Sequence, residues 1–363
     1  MTLSDYSEND GAIHKSPNTK WLEGLGRPII MTLGPIVAAF VVSGLILLTF
    51  GVNPVTYYAY VIERGLISGL GLEQTLTRMA PLLFLAAGLI VAFRAGIWNL
   101  GVDGQFLLGA VASAALAPAL LNVLPGWLVL LSGFFIAGLI GAVWSFLPAL
   151  LRAYQGVNEI ITTLMMTFLG VSLANVLVKL MFLDPETTVP QTRTIPVQDR
   201  LPRLLDTTIS SGLIWGLFAV ILVHFVMTRT AFGLKLRTVG ANSHAASHMG
   251  LPVPLLTALV FGISAAFAGL AGAAEILGVN GNVRADWNPA YGLMVIPLTF
   301  LARFHGFGSI ILIFFYSAIL IGSESAARRL GVPQDFKLVL VAALLVFLGL
   351  AEWLDQRYRK GGY

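Results

Sequence analysis

Residues 104–151 form one uninterrupted stretch that contains no Asp, Glu, Lys or Arg. About 20 such residues are enough for a helix to cross the hydrocarbon core of a bilayer. The stretch therefore has room for two spans, joined by a turn at Pro125-Gly126. Polar and apolar residues do not alternate along it, which excludes the strands of a membrane β-barrel. This feature predicts a chain that crosses a membrane as helices.

The composition extends the same prediction to the whole chain. Of 363 residues, 57% are hydrophobic and 11% are charged, whereas a soluble domain carries about 25% charged residues. The 22 basic and 18 acidic residues lie mostly between apolar blocks, which is typical of charge beside a membrane and not of a nucleic-acid surface. The chain has no cysteine, which excludes disulfides, thiol catalysis and thiolate metal sites.

The apolar blocks predict an all-α, polytopic membrane protein with about ten spans. These cover residues 29–50, 80–93, 105–121, 127–151, 159–183, 209–227, 254–277, 291–301, 307–323 and 338–353. The second and the eighth are too short to cross about 30 Å at 1.5 Å per residue. Short spans interrupted by glycine are where transporters place broken helices.

The charged ends of the chain predict its orientation and domain organisation. Residues 1–28 are expected to be a cytoplasmic N-terminal segment, residues 29–354 a single transmembrane domain and residues 355–363 a cytoplasmic tail. An even number of spans places both termini on one side, and basic residues favour the cytoplasm for it. They are Lys15, Lys20 and Arg27 in the head and Arg357, Arg359 and Lys360 in the tail.

Two segments between the spans are long enough to form structures of their own. Residues 184–208 contain four prolines and mixed charge, and predict an ordered external loop. Residues 229–253 carry basic residues and histidines around an Ala/Ser-rich stretch. This pattern predicts a short helix on the cytoplasmic membrane surface, which begins at Asn242 or Ser243 and ends at Gly250.

Two clusters of polar residues interrupt the apolar pattern. Residues 94–105 predict a broken helix, because their glycines allow close backbone approach and their polar side chains can bond the freed peptide groups. A second cluster opens the fifth span. Candidate pathway residues in these clusters are Trp98, Asn99, Asp103, Gln105, Asn158, Thr162 and Asn175. The alternatives are structural: Asp103 and Asn158 can cap the helices that follow them, and Thr162 and Asn175 can bond between helices.

Glu275 is an acidic residue well inside an apolar block. An intramembrane carboxylate indicates a functional site, with Arg284 or a solute hydroxyl as its partner, and a paired structural carboxylate is the alternative. Small residues at positions 262, 266, 269 and 273 of the same span allow another helix to approach, which predicts a span inside the bundle. No Walker A motif is present, so the chain is not expected to hydrolyse ATP by itself.

Three motifs give the chain a resemblance to a known family. They are FRAGIWNLGVDGQ at residues 93–105, GVNEIITTLM at residues 156–165 and LRTVGAN at residues 236–242. Together they resemble the permease subunits of ATP-binding-cassette importers, in the branch of the ribose, branched-chain amino acid and nucleoside permeases. The similarity covers residues 65–352 and is greatest to the nucleoside type that works with a basic-membrane-lipoprotein receptor.

The resemblance implies roles for individual residues that the sequence pattern alone does not indicate. It makes the segment around residues 236–251 a coupling helix that docks on a cytoplasmic ATPase, through Arg237, Gly240, Asn242, His244, Ala245, Ala246 and Gly250. It also implies a second permease subunit, an extracytoplasmic substrate-binding lipoprotein, a plasma-membrane location and a small neutral cargo such as a nucleoside. The chain itself is expected to need no cofactor, because ATP and Mg would bind the partner ATPase.

Two other classes of protein remain as alternatives. An ion-coupled secondary transporter would need a coupling-ion site, for which Glu275, Asp103 and Glu159 are the candidates. An intramembrane enzyme would need clustered acids or histidines within the spans. The coupling-helix segment favours the ATP-driven importer over both.

Overall fold

The structure is a computed structural model that describes residues 17–205, 207–333 and 335–360. Those residues form helices and connecting loops, with isolated β-bridges and no strand among them. The α-helices of the described chain are α1 Pro17–Thr49, α2 Pro54–Ile62, α3 Gly69–Arg94, α4 Val102–Leu120, α5 Gly126–Trp144, α6 Phe146–Gln155, α7 Glu159–Val176, α8 Gly212–Arg229, α9 Ala231–Ala241, α10 Ser243–His248, α11 Val253–Glu275, α12 Tyr291–Leu301, α13 Gly306–Leu330 and α14 Phe336–Lys360. One π-helical turn each follows α2, α7 and α11, at Glu63–Ile67, Leu177–Met181 and Ile276–Asn280.

The described part of the chain does not confirm the predicted number of membrane-spanning helices. Seven helices of the described chain are long and apolar enough to cross a membrane, or eight if Leu33–Thr49 and Pro54–Ile67 count together as one span. The apolar helix Tyr291–Leu301, with 11 residues, is shorter than a span needs. The all-α, multi-pass membrane fold is confirmed, whereas the count of ten is not.

Contacts divide the chain into two units. The larger unit, residues 52–337, contains α2 to α13 and the first residues of α14. The described part of the other unit, residues 17–51 and 338–360, contains α1 and the rest of α14. Every site described below lies within residues 52–337.

Helix α11 lies at the centre of the larger unit, in contact with α3, α4 and α5. Its alanines at 265, 268 and 271 have no exposed surface. The backbones approach closely at glycines: a Cβ atom added at Gly109 of α4 would lie 2.6 Å from the Cα atom of Gly269 in α11. Small residues permit such contacts, which maximise dispersion between membrane helices. The predicted interior position of this span is confirmed.

The helices around α11 differ in what they present outward. The run from Met79 to Phe93 in α3 is buried throughout, whereas α5 and α7 leave large apolar side chains exposed, such as Phe135, Leu139, Phe168 and Leu169. An apolar exterior suits a hydrocarbon environment, because lipid chains are as apolar as these side chains.

Asparagine side chains fix two of the helix starts that the sequence predicts. The Oδ1 atom of Asn158 accepts a hydrogen bond from the backbone N–H of Ile160 at 2.9 Å, at the start of α7. The Oδ1 atom of Asn242 accepts one from the N–H of Ala245 at 3.0 Å, at the start of α10. The capping roles of both residues are confirmed.

We predict that Gly272→Ala destabilises the bundle, because the added Cβ would meet the Phe106 carbonyl oxygen and lie 2.7 Å from the Ala110 nitrogen. Overpacking of this kind costs about 1–3 kcal/mol. Thermal unfolding in detergent would measure it. Gly262→Ala on the same helix is the matched control, because no atom lies within 4 Å of its added Cβ. Equal stability of the two variants would contradict the close α4–α11 contact.

Candidate functional site

Arg78 of α3 and Glu275 of α11 form an ion pair inside the bundle. Their Nη1 and Oε1 atoms are 2.7 Å apart; the Glu275 side chain has no exposed surface, whereas 18% of the Arg78 side chain is exposed. The same Nη1 donates to the hydroxyl of Tyr291, and the Asn280 amide donates to Glu275 Oε1 at 3.2 Å. The second oxygen, Oε2, has no hydrogen-bond partner in the described part of the chain. The pair therefore ties together α3, α11 and the start of α12.

The prediction of Arg284 as the partner of Glu275 is wrong. The backbone of Arg284 forms an isolated bridge to Gln191, in the loops, and its side chain is exposed. The second predicted span begins at residue 80 and therefore leaves Arg78 outside it. In the structure α3 begins at Gly69 and carries Arg78 within the helix. Its position just before an apolar run was the sequence feature that could have identified Arg78 as the partner of Glu275.

Asp103 caps a different helix from the one predicted. It lies in the first turn of α4 and has 4% of its surface exposed. Its Oδ1 accepts from the N–H of Gly292 at 2.6 Å and its Oδ2 from the N–H of Leu293 at 3.3 Å. These are free donors at the start of α12, where the helix dipole favours a negative charge. A carboxylate of α4 thus fixes the start of the short helix α12.

Asn99 and Gln105 form a buried amide network beside the predicted break, which the structure places between α3 and α4. Their side chains exchange hydrogen bonds at 3.0 and 3.2 Å, and Asn99 also donates to Ser264 of α11 at 3.1 Å. At most 1% of each of these three residues is exposed. The hydroxyl of Thr163 in α7 accepts from the backbone N–H of Leu100 at 3.1 Å. Within the link, Asn99 Oδ1 accepts from the backbone N–H of Gly101 at 3.1 Å, as the sequence predicts for a polar residue there, whereas Gln105 bonds the Asn99 side chain and no freed peptide group.

Trp98 and Arg94 connect the same link to the far end of α12. The Trp98 ring stacks on Phe300 with centroids 5.0 Å apart, and 38% of the Trp98 residue is exposed. The Nε atom of Arg94 donates to the carbonyl of Phe304 at 3.0 Å. Phe304 and its neighbour Arg303 both have left-handed backbone, with φ of 56° and 50°. Helix α3 therefore holds both ends of α12, through Arg78 at its start and Arg94 after its end.

The remaining predicted pathway residues lie apart from this cluster. Asn158 is occupied as a cap, and the Thr162 hydroxyl donates to carbonyls of its own helix at 3.2 Å. Asn175 accepts from the backbone N–H of Asp286 at 2.7 Å. Glu159 pairs with Arg152 at 3.2 Å. The structure thus brings Glu275 and Asp103 to the two sides of Tyr291–Gly292, and it leaves these other residues elsewhere.

The predicted coupling segment forms two consecutive helices with an exposed surface. Helix α9 presents Arg237, and α10 and its flanks present Asn242, His244, Ala245 and Gly250, all exposed. Ala246 has no exposed surface and anchors α10. Gly250 has a left-handed φ of 79°, which suits glycine at the end of a helix. One helix was predicted here; the break at Asn242 makes two.

Gly240 brings α9 directly against the α3–α4 link. A Cβ atom added at Gly240 would lie 2.7 Å from the carbonyl oxygen of Arg94 and 2.8 Å from the nitrogen of Gly96. A Cβ added at Gly96, whose φ is 70°, would lie 3.0 Å from the Cα of Gly240. The two backbones are in contact, so a displacement of α9 reaches the link and Arg94 without an intervening side chain.

The apolar helices of the described chain define a multi-pass membrane protein. Residues 71–349 match the model of the family described as branched-chain amino acid transport system / permease component. The chain belongs to this family of ABC-importer permease subunits, which are transport components. The resemblance that the sequence motifs indicate is therefore confirmed.

Three curated relatives cover nearly the whole chain. A glucose ABC transporter permease protein of Haloferax volcanii is 33% identical over 94% of this chain and 90% of its own length. A nucleoside ABC transporter permease protein of Lactococcus lactis is 26% identical over 89% and 91%. A guanosine ABC transporter permease protein of Bacillus subtilis is 26% identical over 88% and 92%. No solved structure gives a significant match.

We predict that Arg78→Met and Glu275→Gln each destabilise the protein by about 3–5 kcal/mol, because each leaves a buried charge without its partner. The double variant Arg78→Met/Glu275→Gln should recover most of this loss, since it buries no ionised group. Denaturant unfolding in detergent would measure all three. Additive losses in the double variant would contradict the coupling of the two charges.

Proposed function

We propose that this chain is the permease subunit of an ATP-driven importer that moves nucleosides, or a related small neutral polar solute, by alternating access. A separate cytoplasmic subunit would bind Mg-ATP and hydrolyse it. The observation that carries the proposal is the exposed α9–α10 surface with Gly240 packed on the α3–α4 link. Through a surface of this kind, a cytoplasmic ATPase would act directly on the membrane helices.

The contacts support a route by which ATPase movement could reach the centre of the bundle. Gly240 contacts the backbone at Arg94, and Arg94 bonds the carbonyl of Phe304 beyond the end of α12. The start of α12 is held by Asp103 and, through Tyr291, by Arg78. A rigid-body shift of α9 would therefore bear on α12 and on the ion pair.

A neutral, hydroxylated cargo agrees with the charges of the site and with the relatives. Arg78 and Glu275 neutralise each other, so the pair needs no charged solute. The names of the relatives mention nucleosides, guanosine and glucose, and each of these contains a sugar without net charge. The family resemblance adds a second permease subunit and a receptor lipoprotein to the proposed importer, and the basic residues of the head and tail favour the cytoplasm for both termini.

The ion-coupled secondary transporter is favoured less by the structure. Its three candidate carboxylates are all engaged: Glu275 with Arg78, Glu159 with Arg152, and Asp103 with the start of α12. A coupling ion at Asp103, Glu159 or Glu275 Oε1 would have to displace these partners, and a cation at Oε2, which is unpartnered among the described residues, would lie beside the positive charge of Arg78. The α9–α10 surface has no role in such a carrier.

We predict that the tagged chain co-purifies from native membranes with an ATPase, and that Ala245→Glu abolishes this association. Ala245 is exposed on α10, so the variant should fold while its added carboxylate obstructs docking. Ser247→Ala on the same helix is the control. Quantitative mass spectrometry of the purified complex would measure the ATPase. Recovery of the folded chain alone, with solute uptake that collapses with the ion gradient, would favour the ion-driven carrier.

We predict that Gly240→Val retains the ATPase but loses most solute uptake. The added side chain would push α9 away from the Arg94 carbonyl, 2.7 Å from its Cβ position, and so interrupt the contact to α12. ATP hydrolysis and uptake in the same proteoliposomes would separate the two effects. Gly331→Asn, at the end of α13 and outside the α9–α10 surface, is the control, because a Cβ there meets nothing within 4 Å and Asn tolerates the left-handed φ. Normal uptake by Gly240→Val would contradict this route.

A further inference from the structure

A cavity of about 370 Å³ lies between α3, α13, the loop residues 197–203 and 208, and the π-helical turn that follows α11. Arg78 lines it, as do Gln74, Thr77, Arg203 and Glu324. We propose that this cavity is a binding site for an uncharged solute with several hydroxyl groups, and that Arg78 binds it directly. The inference rests on the proposed function and gives the solute a specific site, which neither the sequence motifs nor the family assigns.

Arg78 has free donors as well as bonded ones. Its Nη1 is occupied by Glu275 and Tyr291. Its Nε and Nη2 have no acceptor in the described part of the chain, and 18% of the side chain is exposed. Ionisable residues within membrane helices that face a polar cavity commonly mark a solute pathway. Arg78 can therefore donate to a solute in the cavity without releasing Glu275.

The other lining residues supply a scaffold and further hydrogen-bonding groups. Arg200 belongs to the scaffold, since its guanidinium donates to the carbonyls of Ile195 and Val279 at 3.0 Å each. Burial and the nearby charge of Arg203 lower the pKa of Arg200. The amide of Gln74 and the guanidinium of Arg203 have no hydrogen-bond partner among the described residues and remain available to a solute.

The charges of the cavity favour a neutral solute. Arg78 is neutralised by Glu275, and Glu324 is paired with Lys337 at 2.7 Å. On the loop side, the charge of Arg200 is met by two carbonyl oxygens, and Arg203 is exposed, so that water and salt weaken its attraction for anions. An anion at Arg78 would have to compete with the Glu275 carboxylate 2.7 Å away. Hydroxyl oxygens accept from guanidinium and amide donors without that competition, and hydroxyl protons can be accepted by Glu324 or Thr77.

The volume supports a small solute. Ligand sites generally have volumes of about 300–1,000 Å³, and this cavity lies near the lower limit. A hexose or the ribose part of a nucleoside carries several hydroxyls in a small volume. Both kinds of solute present a hydroxylated ring. The experiment tests a hexose and a nucleoside separately, to show which of them binds.

The experiment compares binding and transport in the full complex reconstituted in nanodiscs and proteoliposomes. Saturation-transfer NMR reports binding of guanosine, glucose and, as an anionic comparison, ribose 5-phosphate, and uptake gives KM and Vmax. Arg78→Met/Glu275→Gln removes the proposed donor without leaving a lone buried charge. Arg203→Met alters the loop side of the cavity, and Arg193→Met, an exposed residue of the same loop that does not line the cavity, is the control.

We expect a hydroxylated solute to bind the wild type, and its KM to rise about tenfold or more in the double variant because a charged donor is lost. A smaller rise is expected for Arg203→Met and none for Arg193→Met. Wild-type binding and KM in the folded double variant, or preferential binding of ribose 5-phosphate, would overturn the proposal. If uptake is independent of ATP, the proposed function fails instead, and the NMR comparison still tests the cavity.

Discussion

The pairing of Glu275 with Arg78 is the interaction on which the centre of this bundle depends. A charge is costly inside a membrane-spanning helix, and it is tolerated when an opposite charge and hydrogen bonds compensate it. The carboxylate is fully buried at the end of α11, and the guanidinium reaches it from α3 at 2.7 Å. Tyr291 and Asn280 bond to the same pair. The hydrogen bonds that compensate the buried charges therefore also fix the segment from α11 to α12.

Helix α12 connects the Arg78–Glu275 pair to the other helices of the permease. With 11 residues it is too short to span a bilayer, and its ends are therefore fixed by groups from other helices. Asp103 of α4 compensates its free N–H groups, and Arg94 of α3 bonds the strained turn after it. Arg94 lies where Gly240 of α9 contacts the α3–α4 link. The buried charges and the exposed α9–α10 surface are thus joined by a few direct contacts.

The features that could be predicted from sequence depend on neighbouring residues. Asn158 and Asn242 cap helices that begin at the next residue, and the glycine-rich polar stretch at 95–101 interrupts helices as expected. The features that could not be predicted join distant residues. Arg78 and Glu275 are 197 positions apart, and Asp103 and Gly292 are 189 apart. Apolar pattern alone also did not establish the number of spans, since α12 is apolar but has only 11 residues.

The sequence by itself determined that this is an all-helical membrane protein, because long apolar blocks can satisfy their peptide groups in a bilayer as helices. Its three motifs, by their resemblance to a known family, indicated a permease of the ABC-importer type. The sequence also determined the capped surface helix and the presence of an intramembrane carboxylate. Only the tertiary structure decided which arginine compensates Glu275, which helix Asp103 caps and where Gly240 makes contact. Those choices depend on how α3, α4, α11 and α12 lie against one another, and small residues at the crossings, rather than local sequence preference, set that arrangement.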